Sequence, residues 1–193
     1  MVKAIKVMLI PNNVQKTKMF QYAGASRFAY NWALAREIEN YEKGGKFLSD
    51  AELRKEFTKL RHSDEYTWLL NISNNVTKQA IKDACHAYKR FFKGCSKFPK
   101  FKSRKFSIPS FYQDNVKIQF SDTHVKIEGF AASKKKNKQK INWIRLAEKN
   151  RIPTDCNYSN PRIRYDGINW WITVGIEYED CVTVPSNDGI GID

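Results

Sequence analysis

No stretch of this 193-residue chain is long and apolar enough to cross a bilayer, and no hydrophobic signal-type region follows Met1. A membrane partner is therefore not expected. The four cysteines, Cys85, Cys95, Cys156 and Cys181, form no CxxC pair and no zinc-ligand spacing. They read as reduced thiols of a cytoplasmic protein without a zinc site. No internal repeat is present. What the chain does carry is positive charge, a net +14 with a pI near 9.6, which points to a polyanionic partner. Aromatic residues make up 13% and hydrophobic residues 41%, which argues for a folded protein with one sizeable core or two small ones.

Carboxylates are missing altogether between Lys89 and Lys105. That segment holds Lys89, Arg90, Lys93, Lys97, Lys100, Lys102, Arg104 and Lys105, with Phe91, Phe92, Phe98 and Phe101 between them. Cations neutralise phosphates, and aromatic rings offer stacking faces to unpaired bases. The combination marks a nucleic-acid surface. The plain alternative is a solvated basic loop whose phenylalanines anchor it to a core.

The chain opens with a strand, Lys3 to Ile10, in which Ile5, Val7 and Leu9 share a face. Pro11-Asn12-Asn13 ends it and caps a helix that runs to about Tyr22, where Gly24 is expected to break the pattern. A second helix is predicted from Ala25 to Lys43, stopped by Gly44-Gly45. Ser49 and Glu52 form a capping box for a third, with Leu53, Phe57 and Leu60 facing inward.

A fourth helix is predicted from Asn74 to Lys93. At 100° per residue, Val76, Ala80, Ala84, Ala87 and Phe91 fall on a core side, while Lys78, Lys82, His86, Lys89 and Lys93 line another with no acid among them. Solvated helices mix signs, so a row of one sign suggests a phosphate-facing surface. Gln79, beside Lys78, is a candidate reader of a base edge. His86 has no partner in sequence and reads as a polar contact.

Strands then take over. Val116, Ile118 and Phe120 alternate, a turn follows at Ser121-Asp122, and Val125 and Ile127 alternate again as a hairpin. Lys134 to Lys140 is a lysine-rich loop expected to order on a polyanion. Trp143 to Leu146 is a short strand. Ile163–Tyr165 and Ile168–Tyr178 form a hairpin about Asp166-Gly167, with Trp170, Ile172, Val174, Ile176 and Tyr178 on one face. The expected class is α+β, a split β-barrel or curled sheet whose first strand is separated from the others by a helical insertion. After a linker the chain reaches Gly189-Ile190-Gly191-Ile192-Asp193, an apolar strand ending in a carboxylate. Metal-dependent nucleases of the RNase H type present a first ligand this way, but a two-metal site needs further carboxylates from other segments.

Several of these pieces together resemble the TnpB (OrfB) family of insertion-sequence proteins, relatives of compact type V CRISPR effectors. They are Pro11-Asn12 after the first strand, Gly24-Ala25-Ser26-Arg27-Phe28-Ala29-Tyr30-Asn31-Trp32, and Trp68-Leu69. Ala87-Tyr88-Lys89-Arg90-Phe91-Phe92 with Phe98-Pro99-Lys100-Phe101-Lys102 follows, and Gly189 to Asp193 closes the set. The resemblance implies a transposon-encoded RNA-guided DNA endonuclease that binds a guide RNA and a double-stranded DNA with a short flanking motif. Residues 1–10 would begin an OB-like wedge barrel, 11–105 would be the recognition lobe, 106–184 the rest of the wedge, and 185–193 a linker and the first strand of a RuvC domain. Asp193 would be the first Mg²⁺ ligand. The remaining carboxylates and the family's zinc ribbon do not occur here, so the chain is expected to be an N-terminal half that binds nucleic acid without cutting it. The expected nucleic-acid contacts are Lys78, Gln79, Lys82, Lys89, Arg90, Lys93, Lys97, Phe98, Lys100, Phe101, Lys102 and Arg104. Two other readings stay open: a helix-turn-helix DNA-binding regulator and a general RNA-binding module.

Overall fold

Alternation of buried Ile5, Val7 and Leu9 with exposed neighbours makes Val2–Ile10 a strand, β1. The computed structural model describes residues 2–131 and 140–177, so Tyr178, Cys181, most of the lysine-rich loop and Asp193 lie outside the described residues. Three helices follow β1: α1 (Asn13–Glu42), α2 (Asp50–Arg61) and α3 (Asn74–Phe92), with a short 3₁₀ segment, Asp64–Asn71, before the last. The strands β2 (Ser110–Tyr112), β3 (Gln119–Phe120), β4 (His124–Lys126), β5 (Trp143–Leu146), β6 (Tyr158–Tyr165) and β7 (Trp170–Glu177) complete the order.

Among the described residues all seven strands form one antiparallel sheet in the order β2-β6-β7-β1-β5-β4-β3. β1 pairs with β7 from Val2 opposite Glu177 to Leu9 opposite Trp170, and its last residues reach β5. The first strand is thus enclosed by strands that come after the helices, as a split sheet requires. Of the two expected forms, barrel or curled sheet, the described strands take the open one. β2 and β3 remain edges, and at three and two residues they are too short to supply a closing ladder. The sheet curls instead, bringing the Phe120 ring of β3 to 4.8 Å from that of Tyr158 in β6.

Both predicted hairpins are present, with Phe120 opposite Val125 and Tyr165 opposite Trp170. Val116 and Ile168 fall in the turns and are exposed rather than on the strand faces.

α1 is one helix of 30 residues, not two. A mid-helix glycine costs about 1 kcal/mol against alanine. Here Tyr22, Ala23, Ala25 and Ser26 are buried around Gly24, and that packing outweighs the local preference. The start and end are as read. Asn12 and Gln15 form a reciprocal capping box. At the far end Gly44 has φ +73° and accepts the left-handed turn, with Gly45 N–H donating to the Asn40 carbonyl and Gly44 N–H to that of Tyr41.

The N-terminal half of α1 lies on the sheet, where Tyr22 meets Phe111 and Phe130 edge-on and Phe20 meets Trp170. Its C-terminal half packs on α2 and α3 through Leu34, Leu53, Phe57, Ile81 and Tyr88. Each large side chain fully buried in this core contributes roughly 1.5–3 kcal/mol.

Candidate nucleic-acid interface

The start of α3 is fixed from outside the helix. Glu128, after β4, accepts from the Ser73 hydroxyl at 2.9 Å and the Asn75 amide at 3.2 Å, and pairs with Lys117. Burial pushes the Glu128 carboxyl up, but Lys117, Ser73 and Asn75 outweigh it and hold it below its ordinary value. Docked this way, α3 buries Val76, Thr77, Ala80, Ile81, Ala84, Cys85 and Tyr88. Lys78, Lys82, His86, Lys89 and Lys93 stand together on the exposed side.

Asp83 is the one acid of α3. It is gripped by Arg162 of β6 through two bonds of 2.6 and 2.9 Å and also accepts from Gln79 at 2.9 Å. Its charge is spent inside the protein, and the lysine row keeps a single sign. Gln79, the candidate base reader, is half-buried with its amide engaged by Asp83.

Tyr88 takes the inward position expected of Phe91: Val76, Ala80 and Ala84 are buried as expected, but Thr77, Ile81, Cys85 and Tyr88 are buried beside them while Ala87 and Phe91 are only partly so. Phe91 is only partly buried and meets Phe92 at 5.2 Å and Phe98 at 5.1 Å. The helix ends with Gly94 at φ +68°, and the basic segment turns back across α1. Arg90, Lys97, Lys100, Arg104 and Lys105 are exposed. Phe98 and Phe101 are 45% and 56% exposed, while Pro99 between them is buried.

Lys102 is placed differently from its neighbours. Its ammonium sits 3.8 Å from the centroid of Tyr30, and burial pulls its pKa below the ordinary lysine value. Its main chain exchanges two hydrogen bonds with the Asn31 side chain, each 2.8 Å. Its ammonium is packed on Tyr30, whereas Lys97, Lys100 and Arg104 are exposed. The sequence offered Tyr30-Asn31 and Phe98–Lys102 as separate motifs; Asn31, Asp83, Glu128 and Arg162 gave no signal as the residues that hold the surface together.

Arg145, Arg162 and Arg164 also line the sheet strands, and the Lys6 ammonium lies 4.2 Å from the Trp171 ring centroid. Cys85, Cys95 and Cys156 are unpaired. Among the described residues no helix is long and apolar enough to cross a membrane.

The molecule is an α+β protein in which a curled antiparallel sheet carries a helical layer with a single-signed cationic face. Residues 1–46 match the family model HTH_OrfB_IS605, described as "Helix-turn-helix domain". Those residues fold here as β1 and the unbroken α1, and the next helix, α2, begins beyond them at Asp50. Two similar proteins each bear the name "Putative RNA-guided DNA endonuclease". One, InsQ of Escherichia coli (strain K12), is 28% identical over 99% of this chain and 44% of its own length. The other, from Streptomyces pristinaespiralis, is 27% identical over 56% of this chain and 27% of its own. The family-model match and both relatives support a likeness to an N-terminal portion of TnpB (OrfB) proteins. It spans less than half the length of either relative.

Proposed function

We propose that this chain is the nucleic-acid-binding part of a transposon-encoded RNA-guided DNA endonuclease, taking a guide RNA and a duplex with a short flanking motif. The observation that carries the reading is the α3 face. Lys78, Lys82, Lys89 and Lys93 are exposed in one row, the neighbouring Asp83 is neutralised by Arg162, and exposed Phe98 and Phe101 follow at the row's end. Such a face meets phosphates along one side and unpaired bases at one end.

In this reading residues 11–105 are the recognition lobe, and 1–10 with 106–184 form an OB-like wedge. The curl of the sheet and the Lys6–Trp171 pair on it support the second assignment. Residues 185–193 open a RuvC domain in which Asp193 holds Mg²⁺ together with carboxylates from further strands. Among the described residues no three His, Cys, Asp or Glu side chains gather as metal ligands, so they do not fit such a centre and no cleavage step runs through them.

The test is a gel shift with guide-like RNA and with duplex DNA, alongside a Mg²⁺ cleavage assay. Binding that collapses when the four lysines become alanine supports the proposal. Binding indifferent to them refutes it. Mg²⁺-dependent cutting by the 193-residue chain, lost in Asp193→Ala, would overturn the reading of this part as a binder that does not cut.

A second reading, a DNA-binding regulator, is favoured by the family model's "Helix-turn-helix domain" description. It requires duplex binding that needs no RNA.

A further inference from the structure

Glu37, on α1, is 1% exposed, and one of its two carboxyl oxygens has a partner, the Leu48 N–H at 3.2 Å. The other, Oε1, has none. A buried carboxylate oxygen without a donor needs a proton or a nearby cation to offset its desolvation. Glu37 lines a small cavity of about 190 Å³ whose walls are aromatic, among them Phe47, Tyr88 and Phe92. The ammonium of Lys89 rests 4.6 Å from the centroid of the Phe47 ring, at that wall. Lys89 also belongs to the exposed α3 row.

We infer that Glu37 is a positioning residue for Lys89, and that a phosphate drawn to Lys89 is accompanied by uptake of a proton at Glu37. The inference rests on the proposed function, in which Lys89 meets a polyanion.

The charges around Glu37 set the direction. Burial is the largest influence and raises its pKa to about 6, while the Leu48 N–H and Lys89 favour the carboxylate and Glu52 of α2 opposes it. The Cys85 thiol and Tyr88 phenol on α3 are both pushed up by burial, helped by the Glu37 charge, and stay neutral. Asp50 adds to the effect on Cys85. Lys89, at the cavity wall, is thus the cation that favours the Glu37 carboxylate. A phosphate sharing that ammonium weakens its hold on Glu37 and adds negative charge nearby, and both effects raise the Glu37 pKa. Below about pH 6 Glu37 is protonated with or without ligand, and no linkage appears. Above it, binding must return a proton to the carboxyl, so affinity falls with rising pH until the higher pKa of the complex is passed. Each unit of that rise separates the two affinity plateaus by about tenfold.

Two measurements test this. In the free protein, a carboxyl NMR titration should find the Glu37 pKa higher in Lys89→Ala than in the wild type; an unchanged value overturns the pairing. Calorimetry with poly(U) RNA and with random-sequence duplex DNA, in buffers of different ionisation enthalpy just above pH 6, should find net proton uptake that drops in Glu37→Gln. Histidine contributions are common to both proteins and cancel in the comparison. Binding with equal uptake in both rejects this inference alone. Failure of either polymer to bind rejects the proposed function, and the coupling with it.

Discussion

Asn31 and Lys102 are joined twice, the Asn31 amide donating to the Lys102 carbonyl and its Oδ1 accepting the Lys102 N–H, both at 2.8 Å. One side chain thus imitates a strand partner and fastens the basic segment to α1. Asn31→Ala removes both bonds and should cost about 1–3 kcal/mol at roughly 0.5–1.5 kcal/mol each. Because the segment is freed rather than discharged, nucleic-acid affinity should fall with little change in salt dependence. Thermal melting and gel shifts at several salt concentrations check both parts. A salt slope reduced as far as in a lysine deletion would show that Asn31 acts on charge, not placement.

The lysines divide by where their ammonium groups rest. Lys78, Lys82, Lys89 and Lys93 are exposed, and each alanine variant should lower the slope of log affinity against log salt by about 0.7 to 0.9. Lys102→Ala should leave the slope unchanged and lower the melting temperature instead, since its stem and charge pack on Tyr30. A slope change in Lys102→Ala equal to that of Lys78→Ala would show that Lys102 meets a phosphate as the exposed lysines do.

Elements governed by local chemistry were legible in the sequence. The cap at Asn12 and the Ser49/Glu52 capping box mark the starts of α1 and α2, Gly44 marks a helix end, and period-two alternation marks β1 and β7. What misled was tertiary packing. Gly24 reads as a break until buried neighbours on both sides hold the helix straight. Phe91 reads as core until the helix rotates to bury Tyr88. The lysine row of α3 was visible because solvated faces obey periodicity alone. Its maintenance was not, because Asp83 is neutralised by Arg162, 79 residues away, and no local pattern connects them.

Phe91, Phe98 and Phe101, near the end of α3, should separate by assay. Phe101 is the most exposed of them, so Phe101→Ala should leave stability within about 0.5 kcal/mol while weakening RNA binding by roughly 1–3 kcal/mol if its ring stacks on a base. Phe91 and Phe98 share an edge-on contact, and each alanine variant should cost about 1–2 kcal/mol, below the 3–5 kcal/mol of a fully buried ring. Melting curves and RNA titrations on the same preparations decide it. A Phe101→Ala protein that melts as low as Phe91→Ala would make that ring structural.

Glu128 ties the start of α3 to the sheet, and its ionisation makes that tie pH-dependent. Desolvation alone would raise its pKa, yet Lys117 with the Ser73 and Asn75 donors brings it below the ordinary carboxylate value. A depressed carboxyl contributes stability that is present above the unfolded pKa and lost as pH falls through the folded one. Glu128→Gln keeps an acceptor for Ser73 and Asn75 but removes the charge facing Lys117, so it should destabilise the protein by about 1–2 kcal/mol at neutral pH. The gap should close as the pH falls below the ordinary carboxylate value and the wild-type carboxyl is protonated. Urea unfolding of both proteins across that fall in pH is the measurement. Because α3 docks through this contact, the variant should also weaken nucleic-acid binding at neutral pH. A stability gap of constant size down to the lowest pH would mean that shape, not charge, holds the helix in place.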